Sequence, residues 1–454
     1  MYNPILLPEL RQMLRDEDRQ GISEVLTELH PATIADFTEG LDVEETWRLL
    51  AHAPIDRQAE VFEFFPITKK IEMVDGVGRQ RMSKLLEEMA SDDRVDLLQR
   101  LEPDLVEELL PLVAKADRQD MRWLLSFPED SAGSIMTTEY ASLPADITVA
   151  EALTQLRHQA PDTETIYYVY VLDSERRLVG FVSLRELILA KPATMIRDLM
   201  HRDPVFARVN DDQERVAHEL ARYNFLAMPV VDERDRLVGI VTHDDVIDVV
   251  IQEATEDALR MGAVGALEDN HLEAPFTTVW GKRSAWLSCL FIAELMTFGA
   301  MAYFEDAIAA IVALSFFVPL CISTGGNSGS QAATLITRAM ALDQVRPADW
   351  WKVIRHELVM GIALGVTLGT IAFVQAALTP QSIVGNVDRW LLAVVVSQSV
   401  TMICLWGTLV GSVLPLMFRR LGFDPGYASS PFVATLVDVT GIVIYFSIAS
   451  FYLL

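Results

Sequence analysis

The chain has 454 residues, enough for about three domains, and it carries a formal net charge of −27. Residues 282–454 hold nine acidic and nine basic residues, so the entire negative excess lies in residues 1–281. A region that acidic repels nucleic acid and anionic lipid and attracts cations, which argues against a nucleic-acid-binding protein.

Several classes of chemistry are disfavoured by the residue patterns. Cys289, Cys321 and Cys404 lie in apolar segments without metal-type spacing, which argues against a zinc site and a disulfide scaffold. The sequence contains no Ser/His/Asp set, phosphate-binding glycine loop or HExxH motif, so we expect no enzyme. The N-terminal stretch MYNPILLPELRQ has no basic region before an apolar core, so we expect no signal peptide.

Residues 1–130 predict an acidic domain of short amphipathic helices, arranged as a superhelix or solenoid. Segments such as SDDRVDLLQRLEPDLVEELLPLV place Leu, Ile and Val at helical spacing with Asp and Glu opposite. Prolines 54, 66, 103 and 128 separate the predicted helices. Nothing in this segment resembles a catalytic site.

Residues 131–250 contain an internal repeat. The segment YYVYVLDSERRLVGFVSLREL matches LAMPVVDERDRLVGIVTHDDV, with Gly180 and Gly239 as counterparts. Each copy predicts a strand, an acidic turn, a second strand and a helix. The pattern resembles a tandem pair of CBS domains, at about 131–190 and 195–250; such pairs are α/β regulatory modules and often sense adenosine nucleotides.

The resemblance to CBS pairs implies residues that could hold a nucleotide. In such pairs a Thr or Ser and an Asp after the second strand hold ribose and phosphate. The second copy has Thr242 and Asp245 there, but the first has Ser183 followed by Glu186, where Asp is usual. ATP is therefore a candidate ligand of the pair, and its binding is left open.

The segment 251–280 predicts a helix that connects the repeat to the apolar part of the chain. Acidic residues and one Gln recur around its start at three- and four-residue steps: Asp245, Asp248, Gln252 and Glu256, followed directly by Asp257. Such a face is usually only solvated. Here it precedes a candidate membrane pore and belongs to a region with uncompensated carboxylates, which favours a cation-sensing connector.

Five apolar stretches follow residue 280, each near the length that a bilayer core requires. We place the predicted spans at about 284–303, 307–337, 357–379, 390–417 and 427–453. Basic residues concentrate before the first span and in the loops after the second and fourth. By the positive-inside rule the N-terminal half is cytoplasmic, in the plasma (inner) membrane of the cell, and the C-terminus faces outward.

The second predicted span contains the polar, glycine-rich run STGGNSGSQ, preceded by Pro319. One interpretation is a broken or tightly packed helix whose carbonyl and side-chain oxygens line a polar path. The other is a small-residue face, Gly325 with Gly329, that brings two helices together. The residues alone do not choose between them.

Two carboxylates lie within predicted spans. Asp438 is central in the fifth span, where an ionised Asp costs about 2.5–3.5 kcal/mol on insertion scales. Glu294 lies in the middle of the first span. A functional role is the default for such residues, although Glu294 could equally be protonated and hydrogen-bonded between helices.

The order of an acidic helical domain, a CBS pair, an acidic connecting helix and five spans resembles the MgtE family of magnesium channels. The most specific stretches are TGGNSGSQAATLITRAMAL, LGFDPGYASSPFVATLVDVTG and QEATEDALRMGAV. The resemblance implies a multidomain α-helical membrane protein that is a homodimer, imports Mg²⁺ and is gated by cytoplasmic Mg²⁺. It implies a pore on the two-fold axis, formed by the second and fifth spans.

The resemblance also assigns residues. The implied pore positions are Asp438, Gly325, Gly326, Asn327, Gln331 and Thr435. The implied regulatory Mg²⁺ positions are Asp245, Asp248, Glu253, Glu256 and Asp257, with Asp92, Asp93, Asp96, Asp212 and Glu214 as weaker candidates. Two positions depart from the family pattern: Asn224 replaces an expected acid, and Ser430 precedes Pro431 where Asn is common.

Two other functions compete with this interpretation. A CBS-regulated carrier for another divalent or small organic cation would also use a single intramembrane carboxylate, and Glu294 would then couple Na⁺ or H⁺. A membrane-anchored sensor that transports nothing leaves both Asp438 and the polar run of the second span unexplained.

Overall fold

The computed structural model describes residues 7–265, 274–342, 344–385 and 387–453. The chain divides into two compact units, one ending at Ile251 and the other beginning at Gln252. Part of the predicted connecting helix, residues 266–273, lies outside the described residues.

The first unit begins with a series of short helices. They are α1 (Leu7–Arg15), α2 (Arg19–Glu28), α3 (Pro31–Thr38), α4 (Val43–Leu50), α5 (Ile55–Glu63), α6 (Ile67–Asp75), α7 (Arg79–Glu88), α8 (Ser91–Arg100), α9 (Pro103–Leu109) and α10 (Lys115–Leu124). From α3 onward each helix packs against the helix two places later, as in a helical solenoid. The predicted helical N-terminal domain is confirmed.

Local sequence explains where these helices begin and what they bury. Asp42 and Glu45 form a reciprocal capping box that fixes the start of α4, with Glu45 N donating to Asp42 Oδ1 at 2.7 Å. The apolar stripes face a shared core that includes Trp47 and Phe62, both nearly fully buried. The Trp47 indole donates to the Met73 carbonyl at 3.0 Å, so burial leaves its N–H satisfied.

The repeat forms two small mixed sheets, as the pattern of the two copies predicts. The first copy contains β1 (Tyr140–Pro144), α11 (Val149–Gln159), β2 (Thr165–Leu172), β3 (Leu178–Ser183), α12 (Leu184–Leu189) and α13 (Ile196–Leu199). The second contains β4 (Ala207–Arg208), α14 (Gln213–Tyr223), β5 (Ala227–Val231), β6 (Leu237–Thr242) and the start of α15 (His243–Met261). In each sheet the first strand is parallel and the third antiparallel to the middle strand.

The matched glycines have the same structural role in both copies. A Cβ on Gly180 would lie 2.5 Å from the His201 carbonyl oxygen, and one on Gly239 would lie 2.8 Å from the Thr137 carbonyl oxygen. Real side chains cannot approach backbone that closely, so each strand needs glycine where the segment before the other copy crosses it.

The described residues of the second unit form helices joined by short turns and loops, and none of them lies in a strand. Its helices are the remainder of α15, then α16 (Phe276–Tyr303), α17 (Glu305–Ala310), α18 (Ala313–Ala341), α19 (Trp350–Leu378), α20 (Gln381–Val384), α21 (Arg389–Arg420) and α22 (Ser430–Leu453). Among the described residues, four stretches are long and apolar enough to cross a membrane: Phe276–Tyr303, Pro347–Leu378, Arg389–Arg420 and Ser430–Leu453. The 29-residue α18 packs against both α21 and α22.

Candidate functional site

Helix α18 is continuous through the glycine-rich run, so the helix is tightly packed and not broken. Its small residues form one packed face. A Cβ on Gly329 would lie 2.9 Å from the Gly407 carbonyl oxygen of α21, and Ser328 Oγ donates to the Cys404 carbonyl at 3.0 Å. Glycine therefore lets the backbones of α18 and α21 approach, as small-residue motifs do in membrane helices.

The opposite face of α18 is polar and exposed. Ser323, Asn327 and Gln331 recur every four residues, and each is exposed in the single chain. Asn327 Nδ2 donates to Ser323 Oγ at 3.4 Å. Because amides and hydroxyls are costly against lipid, this stripe requires water or another protein surface. One helix thus provides both features that the sequence left as alternatives.

Asp438 lies beside that helix, in the middle of α22. Its Oδ1 would be 3.4 Å from a Cβ on Gly326, so this glycine leaves room for the carboxylate. Among the described residues, none donates a hydrogen bond to the Asp438 carboxylate and no cationic side chain forms an ion pair with it. Thr435, three residues earlier, is half-buried on the same helix. Ser330 Oγ donates to the Ser430 carbonyl at 3.1 Å and fixes the start of α22 against α18.

A cluster of carboxylates in the first unit brings distant parts of the sequence together. Asp92 and Asp93 lie on the first turn of α8, and Asp245 and Asp248 lie on the first turns of α15. The Asp92 and Asp245 carboxyl groups share a hydrogen bond, and Asp245 also accepts one from Thr242. Asp92 Oδ1 is buried and has no hydrogen-bond partner among the described residues.

Burial and mutual repulsion disfavour ionisation throughout this cluster. Burial is the main cause that raises the pKa of both Asp92 and Asp245. The pKa of Asp93 is raised to about 6, again mainly by burial, against the opposing charge of Lys70. Burial and the Asp93 charge raise the pKa of Glu63 to about 8. A bound divalent cation would stabilise the ionised forms that burial and repulsion disfavour.

A second acidic group lies in the second unit, where α15 meets the turn between α21 and α22. The Arg260 guanidinium pairs with both Glu256 and Asp424. The pKa of Asp257 is raised, first by burial and then by the Asp424 charge. Asp424 also accepts from Gly426 N at 2.6 Å. Asp424 lies in the stretch LGFDPGYASSPFVATLVDVTG, but its position in the sequence did not predict that its carboxylate belongs to an acidic group.

The remaining predicted regulatory residues are less informative. Asp212 is the N-cap of α14 and accepts from the Glu214 N–H at 2.9 Å, which gives it a structural role. Asp96 lies on α8 and Glu253 on α15. The Asp96 charge contributes to the raised pKa of Asp248, after burial and the Asp244 charge. Asn224 ends α14 in the left-handed conformation with φ 54°, which Asn adopts readily.

The candidate nucleotide residues occupy equivalent positions but are engaged within the chain. Ser183 caps α12 and donates to Glu186 Oε2 at 2.7 Å, while Thr242 donates to Asp245 at the start of α15. A cleft of about 580 Å³ opens beside Ser183 and Tyr168. A ligand at these positions would have to compete with these two hydrogen bonds.

An exposed polar stripe and a carboxylate between apolar helices, joined to an acidic CBS-containing region, define a cation-transporting membrane protein. Family models match the chain as an MgtE intracellular N domain at 29–130, CBS domains at 132–192 and 196–252, and an MgtE divalent cation transporter at 318–448. The chain is 39% identical over 451 residues to the magnesium transporter MgtE of Thermus thermophilus, covering 98% of each. It is 32% identical to that of Bacillus subtilis, covering 96% of this chain and 95% of the relative.

Two solved structures match the first part of the chain. The soluble part of a magnesium transporter is 35% identical, with a TM-score of 0.53, and covers 55% of this chain and 98% of its own. The cytosolic domain of the Mg²⁺ channel MgtE in complex with ATP is 39% identical, with a TM-score of 0.51, and covers 54% and 99%. The chain belongs to the MgtE family of divalent cation transporters. It is a membrane protein whose N-terminal and CBS domains are cytosolic.

Proposed function

We propose that the protein is a Mg²⁺ channel that imports magnesium through a path lined by α18 and α22. The observation that carries the proposal is Asp438, a carboxylate unpaired among the described residues, packed beside the polar face of α18. The two magnesium transporters that align over nearly the whole chain support Mg²⁺ as the ion.

The chemistry of Mg²⁺ fits such a site. Mg²⁺ prefers oxygen ligands at about 2.0–2.1 Å in an octahedron and usually keeps several of its waters. A path for it therefore needs few direct ligands and enough space for a hydrated ion. Gly326 and Ala434 beside Asp438 are small, and Asn327 and Gln331 offer amide oxygens to coordinated water.

The polar stripe of α18 also supports a homodimer and five spans. A stripe exposed on the single chain would be satisfied if two copies enclosed a water-filled path on a two-fold axis. Two copies of Asp438 would then supply two carboxylates to one ion. We propose that α18, the second predicted span, completes the five, because it is 29 residues long and packs against both α21 and α22. In this arrangement the protein lies in the plasma membrane with its C-terminus outside.

Gating is proposed to use the two acidic groups. With abundant cytoplasmic Mg²⁺, ions bound at the Asp92–Asp245 cluster and beside Asp257 and Asp424 neutralise the carboxylates and favour a closed state. When Mg²⁺ is scarce, repulsion favours an open state. The effect is limited to the difference in Mg²⁺ affinity between the two states. ATP is the proposed ligand of the CBS pair, supported by the related cytosolic domain that was solved with ATP.

The proposal is tested by reconstituting the full chain in liposomes that contain a Mg²⁺-sensitive dye. We expect an inward Mg²⁺ flux that persists without a Na⁺ or H⁺ gradient and falls when Mg²⁺ is present on the cytosolic side. Flux that requires a H⁺ or Na⁺ gradient would contradict the channel and favour the carrier.

A further inference from the structure

A second carboxylate, Glu294, lies within a candidate span and has no role in the function proposed above. It is on α16, half-buried, between the exposed Phe291 and Leu295. Among the described residues its carboxylate has no hydrogen-bond donor and no cation partner. An intramembrane carboxylate without a partner is costly unless it faces a polar path.

Two aromatic contacts fix the depth of Glu294 relative to Asp438. Trp286 lies 6.5 Å from Phe432 between ring centroids, and Phe304 stacks on Phe446 at 5.3 Å. Phe304 follows Trp286 in the chain and Phe446 follows Phe432, so the two contacts occur in the same order along both helices. α16 and α22 therefore run parallel. Glu294 follows Trp286 by eight residues and Asp438 follows Phe432 by six, rises of about 12 Å and about 9 Å.

The two carboxylates therefore lie at nearly the same level of the helix pair. An α-helix turns by about 100° per residue. Both carboxylates therefore also lie on the same side of the plane that contains the two helix axes and their aromatic contacts. Glu294 is close enough for its charge to act on Asp438. Asp438 itself lies against α18, whose polar stripe is the proposed ion path.

We propose that Glu294 is a specificity-determining residue, which strengthens the preference of the path for divalent over monovalent cations by adding negative charge at the level of Asp438. The inference rests on the proposed role of Asp438. Glu294 acts through the electric field, because a divalent ion gains twice as much from an added negative charge as a monovalent ion. Glu294 does not coordinate the ion; its charge acts on the ion at a distance.

The test compares Glu294→Gln, Glu294→Asp and wild type as full-length protein in liposomes, with Glu357→Gln as a matched control. Glu357 is a carboxylate of α19, which packs against α21. Mg²⁺ flux is measured over a range of external Mg²⁺, alone and in competition with Na⁺. We expect Glu294→Gln to raise the half-saturating Mg²⁺ concentration about three- to tenfold and to increase competition by Na⁺. Maximal flux should stay within about twofold, and Glu294→Asp should restore most of the affinity.

Each outcome decides the proposal. If Glu294→Gln has the half-saturation and Na⁺ competition of wild type and Glu357→Gln, the inference is overturned. A fall in maximal flux with unchanged half-saturation, not rescued by Asp, would show a structural role and also overturn it. If Glu294→Gln does not fold, Glu294→Ala, which also removes the charge, takes its place and must show the raised half-saturation. Asp438→Asn, measured in parallel, separates the two claims: flux without Asp438 refutes the pore, whatever Glu294 does.

Discussion

Asp92 of α8 and Asp245 of α15 share a hydrogen bond between their carboxyl groups, although 153 positions separate them in the sequence. Two carboxyl groups can form this bond only while one holds a proton. Protons and divalent cations therefore compete for the same cluster of carboxylates.

The stability of the protein without Mg²⁺ should fall as pH rises. Burial raises the pKa of Asp93 from 3.8 to about 6, of Glu164 from 4.5 to about 7 and of Glu63 from 4.5 to about 8. A raised acid pKa contributes stability that is present at about pH 4 and is lost as pH passes the folded-state values. Thermal unfolding in chelator should give a lower Tm at pH 8 than at pH 6, and Mg²⁺ should reverse the loss. An equal Tm at both pH values would contradict the account.

Neutralising the Asp92–Asp245 pair should remove part of the inhibition by Mg²⁺. In Asp92→Asn with Asp245→Asn, the cluster loses the two carboxyl groups that would ionise to hold a divalent cation, so flux should continue at cytosolic Mg²⁺ that closes wild type. Patch recordings with varied cytosolic Mg²⁺ measure this. Glu233→Gln, in the exposed turn between β5 and β6, is the matched control and should remain inhibited. Wild-type inhibition in the double variant would refute the assignment.

Removing Arg260 should make the protease resistance of the C-terminal end of α15 depend on Mg²⁺. Its guanidinium pairs with Glu256 and Asp424, and its charge partly offsets the rise in the pKa of Asp257 that burial causes. In Arg260→Ala these carboxylates lose that cation, so the segment should be cleaved faster by protease in chelator and protected again by Mg²⁺. Arg197→Ala, which removes an exposed ion pair elsewhere, serves as the control. Equal cleavage with and without Mg²⁺ in Arg260→Ala would contradict the prediction.

The close approach of α18 and α21 should not tolerate a methyl group. Gly329→Ala would place Cβ 2.9 Å from the Gly407 carbonyl oxygen, and overpacking of this kind costs about 1–3 kcal/mol. Gly299→Ala, on α16, meets nothing within 4 Å and should leave the Tm of the detergent-solubilised protein unchanged. If Gly329→Ala and Gly299→Ala have the same Tm, α18 and α21 do not pack as described.

Local patterns predicted the elements better than the sites. The repeat gave Gly180 and Gly239 as counterparts, and both have the close backbone approach that requires glycine. Hydropathy placed the apolar helices, but could not tell whether the run around Gly325 breaks α18, because that depends on packing against α21. Asp424 meets Arg260 only through the tertiary fold, so its spacing in the sequence gave no signal.

The role of Asp438 is the central claim, and Mg²⁺ uptake tests it most directly. The measurement is growth and Mg²⁺ content of cells lacking their own Mg²⁺ transporters, expressing wild type or Asp438→Ala at equal levels in the membrane. We predict that wild type restores growth in low Mg²⁺ and that Asp438→Ala does not. Equal rescue by the variant would contradict the account.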